Sequence, residues 1–137
     1  MLGRATGIDL YGIDATLIEV EADLGGGLPV ITTVGLPDPA VREGVDRIRS
    51  AIRHAGFVLP QRRVVVNLAP AGMRKQGAAL DLPVAVAILV ADGQIPPPGP
   101  HGTVLAGELS LDGRHRPVRG VISAALAARD AGRDRII

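Results

Sequence analysis

The sequence predicts one mixed α/β domain of the α+β class, in which helices pack on one face of a mixed β-sheet. Three observations support this prediction. Apolar patterns follow one another in the order β-β-β-α-β-α-β-β-α, with a further β-type run at the end. The chain of 137 residues has the length of a single domain. Because aromatic residues make up only 1% of the chain, the core must be built from Val, Ile, Leu and Ala.

The first part of the chain consists of strands. Residues 5–10 and 14–23 alternate between apolar and polar side chains, which predicts a hairpin with its turn at residues 11–14. The glycines at 25–27 indicate another turn, and the β-branched run 28–36 predicts a third strand. The acidic residues of the second strand recur with period two, which is typical of a solvated face.

A first helix is predicted between Asp38 and Gly56. Asp38 is a suitable N-cap, and Pro39 occupies the first helical position, where its missing N–H costs nothing. Gly56 ends the helix. One face of this helix is apolar. The other face is expected to carry most of its arginines, which are Arg42, Arg47, Arg49 and Arg53.

The second half of the chain alternates strands and helices. Residues 62–70 predict a central strand, and residues 79–91 predict a helix so apolar all round that it must be buried. The Asp-Gly pair at 112–113 predicts a hairpin of two short strands within 103–118. A third helix ends at Gly132. The final "RII" is expected to begin a strand, and the chain is therefore expected to be cut from a longer protein.

Composition excludes several classes of function. A net charge of +1 argues against a polyelectrolyte binder, and the absence of cysteine excludes disulfides and thiol chemistry. The start of the chain has no apolar leader, and the longest apolar run has half the length of a membrane span. A cytoplasmic protein without a membrane contact is expected.

Motifs for catalysis and cofactors are also missing. The chain has no Walker A loop, and its histidines lack metal-ligand spacing, so no nucleotide, cofactor or metal site is expected. The histidines are His54, His101 and His115. The serines follow no strained glycine turn and have no obvious base, so serine catalysis is not expected. The serines are Ser50, Ser110 and Ser123.

Basic residues flank the predicted central strand and the predicted hairpin. If these loops lie at one end of the sheet, the side chains form a patch suited to the phosphates of DNA. The alternative is a set of solvated loop tips, and the lack of aromatic stacking residues favours this alternative. The residues concerned are Arg62, Arg63, Arg74, Lys75, Arg114, Arg116 and Arg119.

Three stretches of the chain carry a family resemblance. They read "VGLPDPAVRE", "NLAPAGMRKQGAALDLPVA" and "GELSLDGRHRPVRG". Together they resemble the N-terminal domain of the YifB/ComM magnesium-chelatase-like proteins. The resemblance runs in order over residues 18–121 and the remainder also fits.

The resemblance implies a fold, a context and partners. The fold would be that of the Lon proteolytic domain, within the ribosomal protein S5 domain 2-like group, and would span residues 1–137. An AAA+ ATPase module that binds ATP and Mg would follow, absent from this chain. ComM-type members are linked to hexameric DNA branch migration during natural transformation, which implies a homo-oligomer, with DNA as a further partner.

The Lon likeness can be tested at its two catalytic positions. The nucleophilic serine of Lon-type proteases falls on Ala79, and their catalytic lysine falls on Ile122. Neither side chain can attack a carbonyl or accept a proton, so proteolysis should be absent. Asp81 is then expected to be an N-cap or a loop-tying carboxylate, with Pro83 in the first turn. Arg74 and Lys75, at the mouth of this loop, would contact a partner.

Three hypotheses for function remain. The first is a non-catalytic Lon-like domain that supports ring assembly and touches DNA. The second is a purely structural module for oligomerisation or protein contacts. The third is an active peptidase, which the missing dyad argues against.

Overall fold

The computed structural model describes residues 1–11, 13–99 and 102–137. Gly12 of the predicted first turn and His101 lie outside these ranges. In chain order the elements are β1 (Leu2–Tyr11), β2 (Asp14–Gly25), β3 (Ile31–Val34), α1 (Pro39–His54), β4 (Arg63–Ala69), a 3₁₀ turn (Ala78–Leu80), α2 (Asp81–Ala91), β5 (Thr103–Val104), β6 (Glu108–Leu109), β7 (His115–Arg116), α3 (Val121–Asp130) and β8 (Arg135–Ile136).

Six of the strands form one mixed sheet in the order β3-β4-β2-β1-β5-β8. The long β1–β2 hairpin is antiparallel, with pairs running from Leu2 and Asp23 to Tyr11 and Asp14, which confirms the predicted hairpin. β4 pairs with both β2 and β3, so it is interior as predicted. β6 and β7 form a separate two-stranded hairpin.

The prediction that helices cover one face of the sheet is wrong. α1 and α2 pack on what we call the inner face, over β2 side chains such as Val20 and Ala22. α3 packs on the opposite, outer face, where Ala124 and Ala128 join Ile8 in a second apolar cluster. The long hairpin carries apolar side chains on both faces at its turn end, and each face needs its own cover.

α1 follows the predicted caps closely. The Asp38 carboxylate accepts a hydrogen bond from Val41 N at 2.8 Å, and Pro39 is the first helical residue. Other boundaries differ from the prediction. The third strand is shorter, the second helix begins with a 3₁₀ turn, and the region 103–118 contains an extra strand, β5, that joins the main sheet.

Candidate functional site

Ala79, the position that the resemblance assigns to the Lon nucleophile, lies in the 3₁₀ turn between β4 and α2. Ala79 contributes a half-buried methyl group, and its carbonyl accepts a hydrogen bond from Gly107 N at 3.0 Å. Leu82 N donates in turn to Gly107 O at 3.0 Å. The turn is therefore tied to the segment before β6 through main-chain bonds alone.

Ile122, which the resemblance assigns to the Lon lysine, lies in the first turn of α3, and 78% of its surface is exposed. An aliphatic side chain open to water supplies neither a nucleophile nor a base. The Ala79 and Ile122 positions thus offer no acid–base chemistry to a bound peptide.

Two charged side chains are buried beside the loop that leads into the turn. Asp9, near the end of β1, accepts a hydrogen bond from Gln76 N at 3.3 Å. Burial raises the pKa of Asp9, and the nearby Asp38 carboxylate raises it further against the hydrogen bond from Gln76. Lys75 is fully buried, and its Nζ donates to Pro70 O. Burial lowers the pKa of Lys75, with Asp9 opposing that shift.

The expectation that Lys75 contacts a partner at the mouth of the loop is wrong. Its side chain is directed inward, and its main chain connects the loop to the start of α1. Lys75 N donates to Leu36 O at 3.0 Å, and Asp38 N donates to Lys75 O at 2.9 Å. A buried ammonium needs a hydrogen-bond acceptor, and here Pro70 O is that acceptor. Sequence alone could not show this contact.

Asp81 ties three elements together at the base of the site. Its carboxylate accepts from Arg47 Nε at 2.7 Å, from a second Arg47 nitrogen at 3.1 Å and from Leu109 N at 3.1 Å. Asp81 makes no side-chain N-cap bond, so the loop-tying alternative is confirmed. Burial raises the pKa of Asp81 against the bonds from Arg47, whereas the bond to Asp81 raises the pKa of Arg47 and keeps it charged.

Arg47 is the residue of this site that sequence reasoning missed. Its α1 position had placed it with the solvent-facing arginines. A signal was present at Gly44, one helical turn earlier, where a Cβ would collide with the Asp81 carboxylate. A glycine within an otherwise regular helix can mark such a close approach.

The basic side chains do not form one patch. Arg62 and Arg63 lie at the start of β4 and Arg74 lies beyond its end, about 20 Å away along the strand. Arg119 precedes Gly120, which packs on Leu10 at the end of the sheet where Arg74 lies. All of these arginines are exposed.

The β6–β7 hairpin carries the remaining basic residues. Its turn packs at Gly113 against Ala51 and Ala55 near the end of α1. Arg114 and Arg116 are both exposed, and Arg114 Nε lies 3.7 Å from the Asp112 carboxylate. The hairpin therefore holds two exposed arginines beside the end of α1.

One serine does lie near a histidine, in contrast to the sequence prediction. Ser50 Oγ is 3.4 Å from His54 Nδ1, one turn along α1. The hydroxyl instead donates to Leu111 O at 2.9 Å, and Nδ1 lies 2.9 Å from the Ser50 carbonyl. The Ser50 hydroxyl thus ties α1 to the hairpin, whereas the His54 ring bonds within α1, and neither group is poised for nucleophilic attack.

Other site types receive little support within residues 1–11, 13–99 and 102–137. An open groove of about 930 Å³ lies on the outer face of the sheet beside Arg4, Glu19 and Arg133, and neither Ala79 nor Ile122 lines it. These ranges contain no group of three His, Asp or Glu side chains able to hold a metal ion. None of their helices has the length and apolar character needed to cross a membrane.

Comparison with known proteins identifies the family of this chain. A family model described as subunit ChlI of Mg-chelatase matches residues 20–137. The chain belongs to this family. It is similar to the competence protein ComM of Haemophilus influenzae, with 44% identity over 92% of the chain and 25% of that protein. An uncharacterised protein of Mycobacterium tuberculosis strain H37Rv shares 45% identity over 96% of the chain and 26% of its own length. The assignment to the YifB/ComM group is confirmed.

This ChlI-type chain also has a more distant relative. A Lon protease of Salinispora arenicola is 29% identical over 98% of the chain, which covers 18% of that protein. The chain spans about a quarter of the length of its curated YifB and ComM relatives.

Proposed function

We propose that this chain is the non-proteolytic, Lon-like N-terminal domain of an AAA+ ATPase that remodels DNA. Its fold would belong to the ribosomal protein S5 domain 2-like group. The domain would support assembly of a ring in the cytoplasm, and ATP and Mg would bind in the ATPase module of the whole protein. Similarity to ComM, a competence protein by name, supports a role in competence. DNA branch migration during transformation is the more specific role that the family resemblance implies.

The observation that carries this proposal is the pair of aliphatic residues, Ala79 and Ile122, at the two positions that the resemblance assigns to the Lon dyad. The turn at Ala79 keeps its main-chain bonds to Gly107, and Asp81 keeps a full set of partners. The two positions where Lon chemistry would reside carry only hydrocarbon. A domain that preserves the frame without the dyad fits a scaffolding and binding role.

DNA contact is assigned to the exposed arginines and no longer to Lys75. Arg114 and Arg116 on the hairpin would form one contact, and Arg74 and Arg119 at one end of the sheet would form another. Arg62 and Arg63, at the other end of β4, would form a third contact. Exposed guanidinium groups recognise the sugar–phosphate backbone without reading sequence.

A salt titration tests the DNA role. Fluorescence anisotropy with labelled duplex and forked DNA is expected to show affinity that falls with salt, by a logarithmic slope of about 0.9 per phosphate contact on the duplex. The combined Arg114→Ala, Arg116→Ala and Arg119→Ala variant should lower that slope by about two to three. The matched control is Arg129→Ala, because Arg129 is already bonded to Asp130 at 3.1 Å. Affinity too weak to measure even at low salt would end the DNA role of this domain.

The second candidate is a purely structural module. The exposed apolar residues of α3, such as Val121, Ile122 and Leu126, favour contacts with protein. This candidate predicts oligomer formation in sedimentation experiments together with no DNA binding at any salt concentration.

A further inference from the structure

β3 is an open edge of the six-stranded sheet. Its one neighbour is β4, to which it is parallel, and Val30 O accepts a hydrogen bond from Val64 N at 2.8 Å. In a parallel pair, alternate residues bond to the neighbouring strand, so the N–H and C=O groups of Ile31 and Thr33 point away from the sheet. Such an unpaired row of main-chain groups is a template for another strand.

This edge is short, with only the four residues of β3 between Pro29 and Pro37, but it carries no charge that would oppose pairing. Residues 24–37 contain no charged side chain, and β3 itself contains no proline. Natural edge strands are commonly protected by lysines, prolines, bulges or a covering element. Thr32 is exposed on the outer face, and its neighbours on that face, Val30 and Val34, are 48% and 43% exposed. The edge therefore offers both main-chain groups and apolar side chains to a partner.

We propose that β3 pairs antiparallel with β3 of a second copy of this chain, about a two-fold axis at Thr32. In this register Thr32 lies opposite Thr32 of the second copy. Ile31 lies opposite Thr33 of the second copy, and Val30 lies opposite Val34 of the second copy. The outward main-chain groups of Ile31 and Thr33 then bond across the junction, and the valines cover one another.

The chemistry of the edge favours a second copy over another protein. A two-fold contact requires a self-complementary patch, and this register places valine on valine and threonine on threonine. Like charges opposite each other would oppose pairing, and residues 24–37 provide none. The apolar face of α3 is a weaker candidate, because it offers no main-chain edge to specify its partner. The pairing does not depend on the proposed DNA contact.

Crosslinking tests the register directly. The chain has no cysteine, so Thr32→Cys introduces a single thiol. Opposed residues of a non-hydrogen-bonded antiparallel pair have Cα atoms about 4.5 Å apart, which a disulfide can bridge. In a glutathione buffer, Thr32→Cys should form a linked dimer about tenfold faster than Ile122→Cys, an exposed control on α3. Equal rates for the two variants would overturn the proposal.

Sedimentation equilibrium supplies an independent measurement. The unmodified chain should form dimers as its concentration rises. Thr32→Lys places two like charges at the two-fold axis and should weaken dimerisation at least about tenfold. Ile122→Lys, the matched control, should dimerise as the unmodified chain does. A chain that stays monomeric at every concentration, a Thr32→Lys dimer of unchanged strength, or loss of the dimer in Ile122→Lys would each contradict pairing at β3.

Discussion

Asp81 and Lys75 are both buried charged residues on either side of the same 3₁₀ turn, but they are stabilised in different ways. Asp81 has a direct charged partner in Arg47 and a further donor in Leu109 N. Lys75 bonds to a main-chain carbonyl, and its nearest opposite charge, Asp9, exerts only a longer-range effect. Asp81 joins α1, α2 and β6 through a hydrogen-bond network. The Lys75 side chain mainly fills space in the interior. The comparison predicts that loss of the charged group will be costly at Asp81 and mild at Lys75, provided that the volume of the lysine stem is kept.

The largest effect is expected for Asp81→Ala. This change leaves the Arg47 guanidinium and the Leu109 N–H without their acceptor, and breaking a buried pair by removing one partner costs about 3–5 kcal/mol. Urea unfolding measures the free energy. Asp81→Asn, which retains an acceptor for Leu109, should lose less. A loss below about 1 kcal/mol in Asp81→Ala would show that the network contributes little.

A smaller loss is expected for Gly44→Ala. The new methyl group would collide with the Asp81 carboxylate, and forcing atoms into a packed site costs about 1–3 kcal/mol. Gly26→Ala is the matched control, because a Cβ there meets no atom within 4 Å and the change should stay within about 0.5 kcal/mol. Thermal unfolding of the two variants side by side distinguishes crowding at Asp81 from a general effect of replacing glycine. Equal unfolding midpoints for Gly44→Ala and Gly26→Ala would contradict the close approach of Gly44 to the Asp81 carboxylate.

Features with local sequence signals could be predicted, whereas contacts between distant residues could not. The cap at Asp38 and the long hairpin could be predicted because their signals lie within a few neighbouring residues. The Arg47–Asp81 bond joins residues 34 positions apart, and periodicity alone assigned Arg47 to the solvent face. The burial of Lys75 and the position of α3 on the outer face likewise depend on tertiary packing. The exposed arginines could be named from sequence, but their separation at two ends of β4 could not.

Asp38→Ala should lower the free energy of unfolding moderately, because the Asp38 side chain contributes one N-cap hydrogen bond to α1. Loss of the hydrogen bond from Val41 N should cost about 1 kcal/mol. Asp46→Ala, an exposed position within α1, serves as the control and should change stability by less than about 0.5 kcal/mol. Chemical unfolding followed by circular dichroism measures both variants. A loss as large as that of Asp81→Ala would mean that Asp38 also belongs to the buried network.

The smallest effect at neutral pH is expected for Lys75→Met, which keeps the volume of the stem and removes the buried charge. The change should stay below about 1 kcal/mol, the cost expected for Asp38→Ala, because the volume is conserved. The folded pKa of Lys75 lies below the unfolded value of about 10.4, so the unfolded chain binds more protons between the two values. Stability of the unmodified chain should therefore rise as pH increases through that interval, and Lys75→Met should lose this rise. Parallel stability curves from neutral to alkaline pH would contradict the lowered pKa.

We propose that the polar groups around the turn have a structural role and that the chain does not hydrolyse peptides. Hydrolysis of casein and of a fluorogenic peptide by the purified chain tests it most directly, alongside Ser50→Ala, Ser110→Ala and Ser123→Ala variants. We expect a hydrolysis rate no higher than that of a buffer control for each of these proteins, because the Ala79 and Ile122 side chains provide neither a nucleophile nor a base. Cleavage by the unmodified chain that disappears in one serine variant would contradict it.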